Sequence, residues 1–267
     1  MSASCQSLGK FIVLYQDPQT GQLVPGPVQD LSANLALHAA IGDINSDGRD
    51  DLVIVTQENR LSIFYQNSTS GLEQESIYDK TFVILTGLVR ILDMDNDGDK
   101  DIVVQSGLKQ LAIIKQDATV NPGVLSGTPD YYSIQTTYWP QIYTFEVGDL
   151  NGDGKSDVAT TDPGNNGYVN ILLQNNSGTL DPAILVTVFT SPLYGIEIGD
   201  VDGDGLNDIA GDVVNAGAPA TGNVYVFHQK ADHSFGSPVA YSFPTISRGG
   251  SQEYDALSFG NITGDGT

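Results

Sequence analysis

Apolar residues come in short bursts along this chain. "LVIV" at 52–55, "IVV" at 102–104 and "LAII" at 111–114 are each closed within a few positions by Gly, Pro, Asn, Asp or Ser. No ten-residue stretch carries a helical apolar period, whereas short β-branched runs between turn residues read as strands. The prediction is an all-β fold. Successive side chains on a strand point to opposite faces, so Leu52 and Ile54 face one way and Val53 and Val55 the other. All four are apolar. A sheet with one wet face would alternate apolar with polar, so these sheets are predicted to be covered on both sides.

The bursts recur in register. "DINSDGRDDLVIV" at 43 returns as "DMDNDGDKDIVV" at 93, "DLNGDGKSDVAT" at 149 and "DVDGDGLNDIAG" at 200, with "NITGDGT" at 261. Between them runs a second repeat, "FIVLYQD", "LSIFYQN", "LAIIKQD", "VNILLQN" and "VYVFHQK", aligned on Gln16, Gln66, Gln116, Gln174 and Gln229. Each unit then holds about four strands: strand, acidic loop, strand, turn, Gln-ending strand, loop, and a further strand such as "ESIYDKTFVIL". A period of this size is one supersecondary unit, and four-stranded sheets stacked face to face around an axis cover both faces. The expectation is a β-propeller of four-stranded antiparallel blades. A two-sheet sandwich gives no reason for the period. The boundaries are a tail at 1–9 and a single propeller domain at 10–267, with about five units visible. Gln16 has no acidic loop before it, and the loop at 261 has no Gln strand after it. Either "YDALSFGNI" joins the N-terminal strands in a composite blade that closes a ring of five, or the chain is a piece of a longer propeller. Both readings stand.

Charge narrows the chemistry. The formal net charge is −22, from 33 acidic against 11 basic residues, and 27 of the acids are Asp. No Lys/Arg cluster is present to displace counterions from phosphate, so nucleic acid is not an expected partner. No apolar run of 18 residues appears, so no transmembrane helix is expected, and "MSASCQSLGK" lacks the apolar segment of a signal peptide. Cys5 is the single cysteine, which leaves no internal disulfide or thiolate cluster.

The acids are concentrated in the loops. Positions 1, 3, 5 and 9 are Asp43, Asn45, Asp47 and Asp51; Asp93, Asp95, Asp97 and Asp101; Asp149, Asn151, Asp153 and Asp157; and Asp200, Asp202, Asp204 and Asp208. Every one carries oxygen. Position 6 is Gly in all four (Gly48, Gly98, Gly154, Gly205), as expected where the backbone turns with positive φ. Position 7, which is Arg49, Asp99, Lys155 or Leu206, varies because only its backbone carbonyl would be used. Such loops match the hard all-oxygen shell that Ca²⁺ takes at ~2.3–2.6 Å. An EF-hand would need Glu at position 12, where this chain has Ile54, Val104, Thr160 and Gly211, so a strand-flanked version of the site is predicted. Asp-rich turn sequence can also arise from local hydrogen bonding alone. Four copies at blade spacing favour metal, about four Ca²⁺ in all. The copy at Asn261, Thr263 and Asp265 carries fewer charges.

"AIGDINSDGRDDLVIV", "FEVGDLNGDGKSDVAT" and "EIGDVDGDGLNDIAG" resemble the FG-GAP (VCBS-type) repeats of bacterial surface proteins and of the propeller of integrin α subunits. The resemblance covers residues 10 to 267. It implies a Ca²⁺-stabilised propeller with each ion in the hairpin between the first two strands of a blade. "RILDMD" departs from it in lacking Gly before its Asp, and relatives with seven blades leave the blade number open. The family includes adhesion modules, lectins and non-catalytic parts of secreted enzymes, so fold alone does not settle function.

The expected role is a calcium-binding recognition or adhesion module, extracellular or at the cell surface, with a protein or glycan ligand and no catalysis. Millimolar extracellular Ca²⁺ would fill loops that cytosolic levels leave empty. A lectin reading rests on the aromatic stretch "YYSIQTTYWPQIY", with Tyr131, Tyr132, Tyr138, Trp139 and Tyr143, since exposed rings stack on sugars or anchor partners. Strand packing explains the same rings. His38, His228 and His233 are scattered, and His228 shares a repeat position with Tyr65 and Lys115, which reads as a variable strand residue.

Overall fold

A computed structural model of the chain describes residues 9–69, 71–79, 87–107, 109–116, 124–134, 142, 144–162, 168–187, 193, 195–215 and 221–244. Among these every regular element is a strand. In chain order they are β1 (Gly9–Phe11), β2 (Leu14–Gln16), β3 (Leu23–Pro25), β4 (Gln29–Leu31), β5 (Ala36–Gly42), β6 (Asp51–Thr56), β7 (Arg60–Phe64), β8 (Ser76–Tyr78), β9 (Val89–Leu92), β10 (Asp101–Ser106), β11 (Gln110–Ile114), β12 (Asp130–Ser133), β13 (Phe145–Gly148), β14 (Asp157–Asp162), β15 (Tyr168–Leu172), β16 (Ile184–Thr187), β17 (Gly195–Gly199), β18 (Asp208–Asn215), β19 (Thr221–Phe227) and β20 (Val239–Pro244).

The strands from β5 onward form four antiparallel sheets of four, each ordered as in the sequence: β5 to β8, β9 to β12, β13 to β16 and β17 to β20. Before them, β1 pairs β4 and β2 pairs β3, a partial fifth unit. This is the propeller arrangement, with β5, β9, β13 and β17 as the first strands of successive blades. The apolar faces are used as their alternation requires. Val53 and Val55 of β6 pack with Ile102 and Val104 of β10, whereas Leu52, Ile54 and Phe64 face back onto Leu31 and Phe11 of the partial unit. Val103 of β10 then faces forward onto Phe145 and Val158. Leu150, Ala159 and Ile171 of the third blade meet Ile196, Ile209 and Phe227 of the fourth. The first three four-stranded sheets are therefore each a slice of core between two others, and β6 and β10 are buried along their whole lengths.

Glycine sets the distance between first strands. A Cβ on Gly42 would lie 2.5 Å from Ile91 Cγ2, and one on Gly148 would lie 2.8 Å from Ile198 Cγ2. The Gly before the loop Asp is thus a socket for an Ile of the following blade. The second blade has Leu92 there, and the third blade has the shorter Val147 at the position of Ile91 and Ile198. Between the same strands Arg90 forks onto Glu146, with Nε 3.0 Å from Oε1 and Nη2 2.7 Å from Oε2. That geometry is the bidentate pairing that a guanidinium and a carboxylate make best.

Of the aromatic stretch, Tyr138, Trp139 and Tyr143 lie outside the described residues, as do "YDALSFGNI" and the loop at Asn261, Thr263 and Asp265. Tyr131 is exposed on β12, while Tyr132 packs against the core between the second and third blades.

Candidate metal centres at the hairpin tips

Each acidic loop joins the first and second strands of a blade, which is where the repeat pattern places it. Position 6 takes positive φ in all four loops: 82° at Gly48, 95° at Gly98, 79° at Gly154 and 88° at Gly205. Position 4 does so as well, at Ser46, Asn96, Gly152 and Gly203. Two left-handed residues separated by one position coil the loop so that its amides point inward. The carboxylate of position 1 accepts them. Asp43 Oδ2 takes the Gly48 N–H at 2.7 Å, Asp93 Oδ2 that of Gly98 at 3.0 Å, Asp149 Oδ2 that of Gly154 at 2.8 Å and Asp200 Oδ2 that of Gly205 at 2.9 Å.

Position 9 is the hub. Asp51, Asp101, Asp157 and Asp208 open the second strand of each blade and are fully buried. One carboxylate oxygen accepts the N–H of position 2, at 3.2 Å from Ile44, 2.8 Å from Met94, 2.8 Å from Leu150 and 3.2 Å from Val201. The other accepts the N–H of the repeated glutamine, at 2.8 Å from Gln66, 2.9 Å from Gln116, 2.7 Å from Gln174 and 2.9 Å from Gln229. Position 9 thus ties the loop to the end of the third strand. Burial dominates the proton affinity of three of these acids and outweighs the amide bonds that oppose it. Their carboxyls are pushed up to about 6 at Asp51, about 7 at Asp101 and about 6 at Asp157.

The glutamine side chain carries the tie across to the preceding blade. Gln174 Nε2 donates to the Met94 carbonyl at 2.6 Å, and Gln229 Nε2 to the Leu150 carbonyl at 2.7 Å. Gln116 Nε2 reaches Ser46 Oγ at 2.7 Å. All three side chains are buried, whereas Gln16, in the partial unit, is exposed. The repeat revealed these glutamines, yet not their partners, which lie one blade away. The hairpins after Gln174 and Gln229 also cover the loop of the preceding blade: a Cβ on Gly178 would lie 2.7 Å from Asp95 Cβ, and one on Gly152 would lie 2.3 Å from His233 Cε1.

The loops divide by how their carboxylates gather. Ligand atoms of Asp93, Asp95 and Asp101 lie within 4.8 Å of one another, as do those of Asp200, Asp202 and Asp204, and those of Asp202, Asp208 and His228. Asp95 Oδ1 is buried and receives no hydrogen bond, an acceptor that a cation would satisfy. In the first and third loops position 3 is Asn, and Asn45 and Asn151 accept the N–H of position 5 at 3.1 and 2.9 Å. There the position 7 side chains turn onto position 5: Arg49 bonds Asp47, and Lys155 Nζ lies 2.8 Å from Asp153 Oδ2. Asp97 Oδ1 and Asp204 Oδ1 accept the N–H of Asp99 and Leu206, both at 2.9 Å. Lys115 Nζ sits 3.2 Å from Asp95 Oδ2. His228, at the same repeat position, is more than a variable strand residue, because its ring faces the fourth loop. The oxygen-only donor sets of the first three loops and the burial of position 9 fit a hard divalent cation.

Residues 43–104 and 149–211 match the family model of the FG-GAP-like repeat. Each match begins at a position 1 Asp and ends within the second strand of a later hairpin, in β10 or β18. Among curated proteins no sequence match is found. Similar solved structures include one described as "Structure of Dos1 propeller", at 10% identity and a TM-score of 0.49, covering 86% of this chain and 50% of that one. Two others are of BBS1N in complex with ARL6DN, soaked with lead or with mercury. They show 14% and 11% identity and TM-scores of 0.45 and 0.49, and cover 74% and 79% of this chain and 54% and 57% of theirs. The chain spans about half the length of these solved chains. Two stretches of this chain, 43–104 and 149–211, thus carry the FG-GAP-like repeat, set on blades of four antiparallel strands.

Proposed function

We propose that this chain is a Ca²⁺-binding recognition module that works outside the cell, with ions fastening the blade hairpins and a protein ligand taken up on the surface they stiffen. The observation that carries the reading is the fourfold recurrence of one buried aspartate at the centre of an oxygen-lined loop. Burying four carboxylates is costly unless positive charge accompanies them. Asp43, Asn45, Asp47 and Asp51, and their counterparts in the other loops, would hold the ions, with the backbone carbonyls of Arg49, Asp99, Lys155 and Leu206 completing the shells. The ion supplies charge neutralisation and a cross-link. The chain supplies pre-set amides, which hold the position 1 and position 9 carboxylates in place before an ion arrives.

Binding, not catalysis, is the proposed use of these acids. Each position 1 and position 9 carboxylate is occupied by backbone N–H groups that a general acid or base would have to give up. Extracellular calcium levels suit loops of about 10⁻⁴–10⁻³ M affinity. Calorimetric titration of the chelator-stripped chain with Ca²⁺, alongside melting with and without the ion, tests the metal reading. Saturable heat and a raised melting temperature are expected, and a flat titration with an unchanged melt would reject it. For the recognition role, Ca²⁺-loaded chain should bind cell-surface protein after enzymatic removal of sugars. Binding that vanishes with the sugars, together with hits on a glycan array, would replace the protein ligand with a carbohydrate.

A further inference from the structure

The four loops are neutralised in different ways, and the fourth stands apart. Arg49 bonds Asp47 in the first, Lys115 faces Asp95 in the second, and Lys155 faces Asp153 in the third. These are permanent cations that an incoming ion must compete with. In the fourth loop position 7 is Leu206, which brings no charge, and the residue facing the carboxylates is an imidazole. His228 Nδ1 lies 3.1 Å from Asp202 Oδ2 and 3.0 Å from Asp208 Oδ2. The repeat partners of His228 are Tyr65, Lys115 and Leu173, so an imidazole at this position belongs to the fourth blade alone among the described blades.

We infer that the fourth loop is a mixed nitrogen and oxygen site for a divalent transition-metal ion, Zn²⁺ being the test case, with Asp202, Asp208 and His228 as its ligands. The inference rests on the cation reading of the loops given above. A neutral imidazole is a good ligand for Zn²⁺ and its neighbours in the first transition row, whereas Ca²⁺ takes oxygen. Ligands about 2.0–2.1 Å from a tetrahedral ion stand roughly 3.3 Å apart, close to the 3.1 and 3.0 Å that separate Nδ1 from the two carboxylate oxygens. Asp208 is already fixed: its two oxygens accept the N–H groups of Gln229 at 2.9 Å and Val201 at 3.2 Å, and its side chain is buried. His228 is held at the end of β19, one residue before Gln229, whose side chain is anchored on Leu150. Asp202 is the exposed member and leaves a way in from solvent. Two carboxylates balance the charge of one divalent ion, and Asp200 and Asp204 gather beside Asp202 to offer further oxygens.

The full chain, stripped with chelator and returned to millimolar Ca²⁺, is titrated with Zn²⁺ by calorimetry and with Co²⁺ by visible absorption. Uptake of about one equivalent is expected, with a Co²⁺ ligand-field band of a nitrogen-containing site. His228→Leu installs the residue that the third repeat carries naturally. It should weaken Zn²⁺ uptake by more than the roughly 10–100-fold that loss of an outer-sphere partner costs, and abolish the Co²⁺ band. Asp202→Asn, at an exposed position, should weaken it as well and guards against a folding defect in the first variant. His38 and His233 remain in both variants, so stray histidine binding would persist and be recognised. Equal Zn²⁺ uptake by wild type and His228→Leu, or none by the wild type in millimolar Ca²⁺, would overturn the inference. The latter outcome would leave His228 as a hydrogen-bond partner of Asp208. A parallel Ca²⁺ titration of His228→Leu separates the two readings: Ca²⁺ uptake at the other loops without a Zn²⁺ difference sinks this inference alone, and no Ca²⁺ uptake in any protein sinks the parent reading.

Discussion

Replacing Asp157 by Asn removes one charge from the hub of the third loop and changes little else. The carboxylate is fully buried, and its two oxygens accept the N–H groups of Gln174 at 2.7 Å and Leu150 at 2.8 Å. Without an ion, burial raises the Asp157 carboxyl from 3.8 to about 6. At about 1.4 kcal/mol per unit, keeping it ionised at neutral pH costs the folded state roughly 3 kcal/mol. Asn escapes that cost but can accept only one of the two amides, and losing a charged hydrogen bond costs about 1.5–3 kcal/mol. In chelator the two effects offset, and the variant should unfold within about 1 kcal/mol of wild type. In millimolar Ca²⁺ the balance changes. The ion stabilises wild type by RT ln(1 + [Ca²⁺]/Kd), about 2 kcal/mol at roughly twenty times Kd, a gain that includes neutralising the buried charge and that the variant forfeits. Urea unfolding of both proteins, in chelator and in Ca²⁺, gives the comparison directly. The destabilisation should be larger in Ca²⁺ by about 2 kcal/mol or more. Equal values in the two buffers, within about 0.5 kcal/mol, would refute the claim that these carboxylates are buried for the sake of a cation.

Gln174→Ala should destabilise by about 2–3 kcal/mol in either buffer, since it leaves the buried Met94 carbonyl unpaired. Gln16→Ala, whose amide meets only the Gly21 carbonyl at 3.3 Å in an exposed hairpin, should cost less than about 0.5 kcal/mol, and comparable losses would discredit the inter-blade tie. Gly148→Ala should cost about 1–3 kcal/mol through collision with Ile198, and a double-mutant cycle with Ile198→Ala should be non-additive. Gly154→Ala, at φ 79° with open space around it, should cost about 1 kcal/mol and add independently to Ile198→Ala. In chelator, folded Asp51, Asp101 and Asp157 hold protons up to about 6, 7 and 6, whereas the unfolded chain releases them near 3.8. The folded state binds more protons across that window, so stability falls as pH rises through it. The chelated chain should melt higher at about pH 5.5 than at about pH 7.5, and saturating Ca²⁺ should flatten the difference; a lower melt on mild acidification would contradict the assignment.

Sheet order and hairpin placement were legible because both are written locally. Apolar residues on both faces of β6 and β10 require neighbours on both sides, and the fixed interval from Asp43 to Gln66, repeated from Asp93 to Gln116, announces one unit copied along the chain. Gly at position 6 gave away its left-handed turn. Position 4 was harder to see, because Ser46 and Asn96 adopt the same conformation without being glycine. What stayed hidden acts between blades. The Gly42 and Gly148 sockets need Ile91 and Ile198 from about one repeat further on, and the fork of Arg90 onto Glu146 joins the same repeat position of two successive blades, a contact that the repeat register alone does not reveal. His228 looked interchangeable with Tyr65 and Lys115 because a one-dimensional register does not show that a third strand ends beside the loop of its own blade.

The glutamine tie gives the molecule a direction. Gln116, Gln174 and Gln229 reach back 70, 80 and 79 residues to the preceding tip. A ribosome delivers the acidic half of these three sites first and the fastening much later, so each of the three tips remains unfinished until the next blade emerges. Maturation then advances as a wave one repeat behind synthesis, and cutting the chain after the first, second or third four-stranded blade removes the clasp from the tip of that blade.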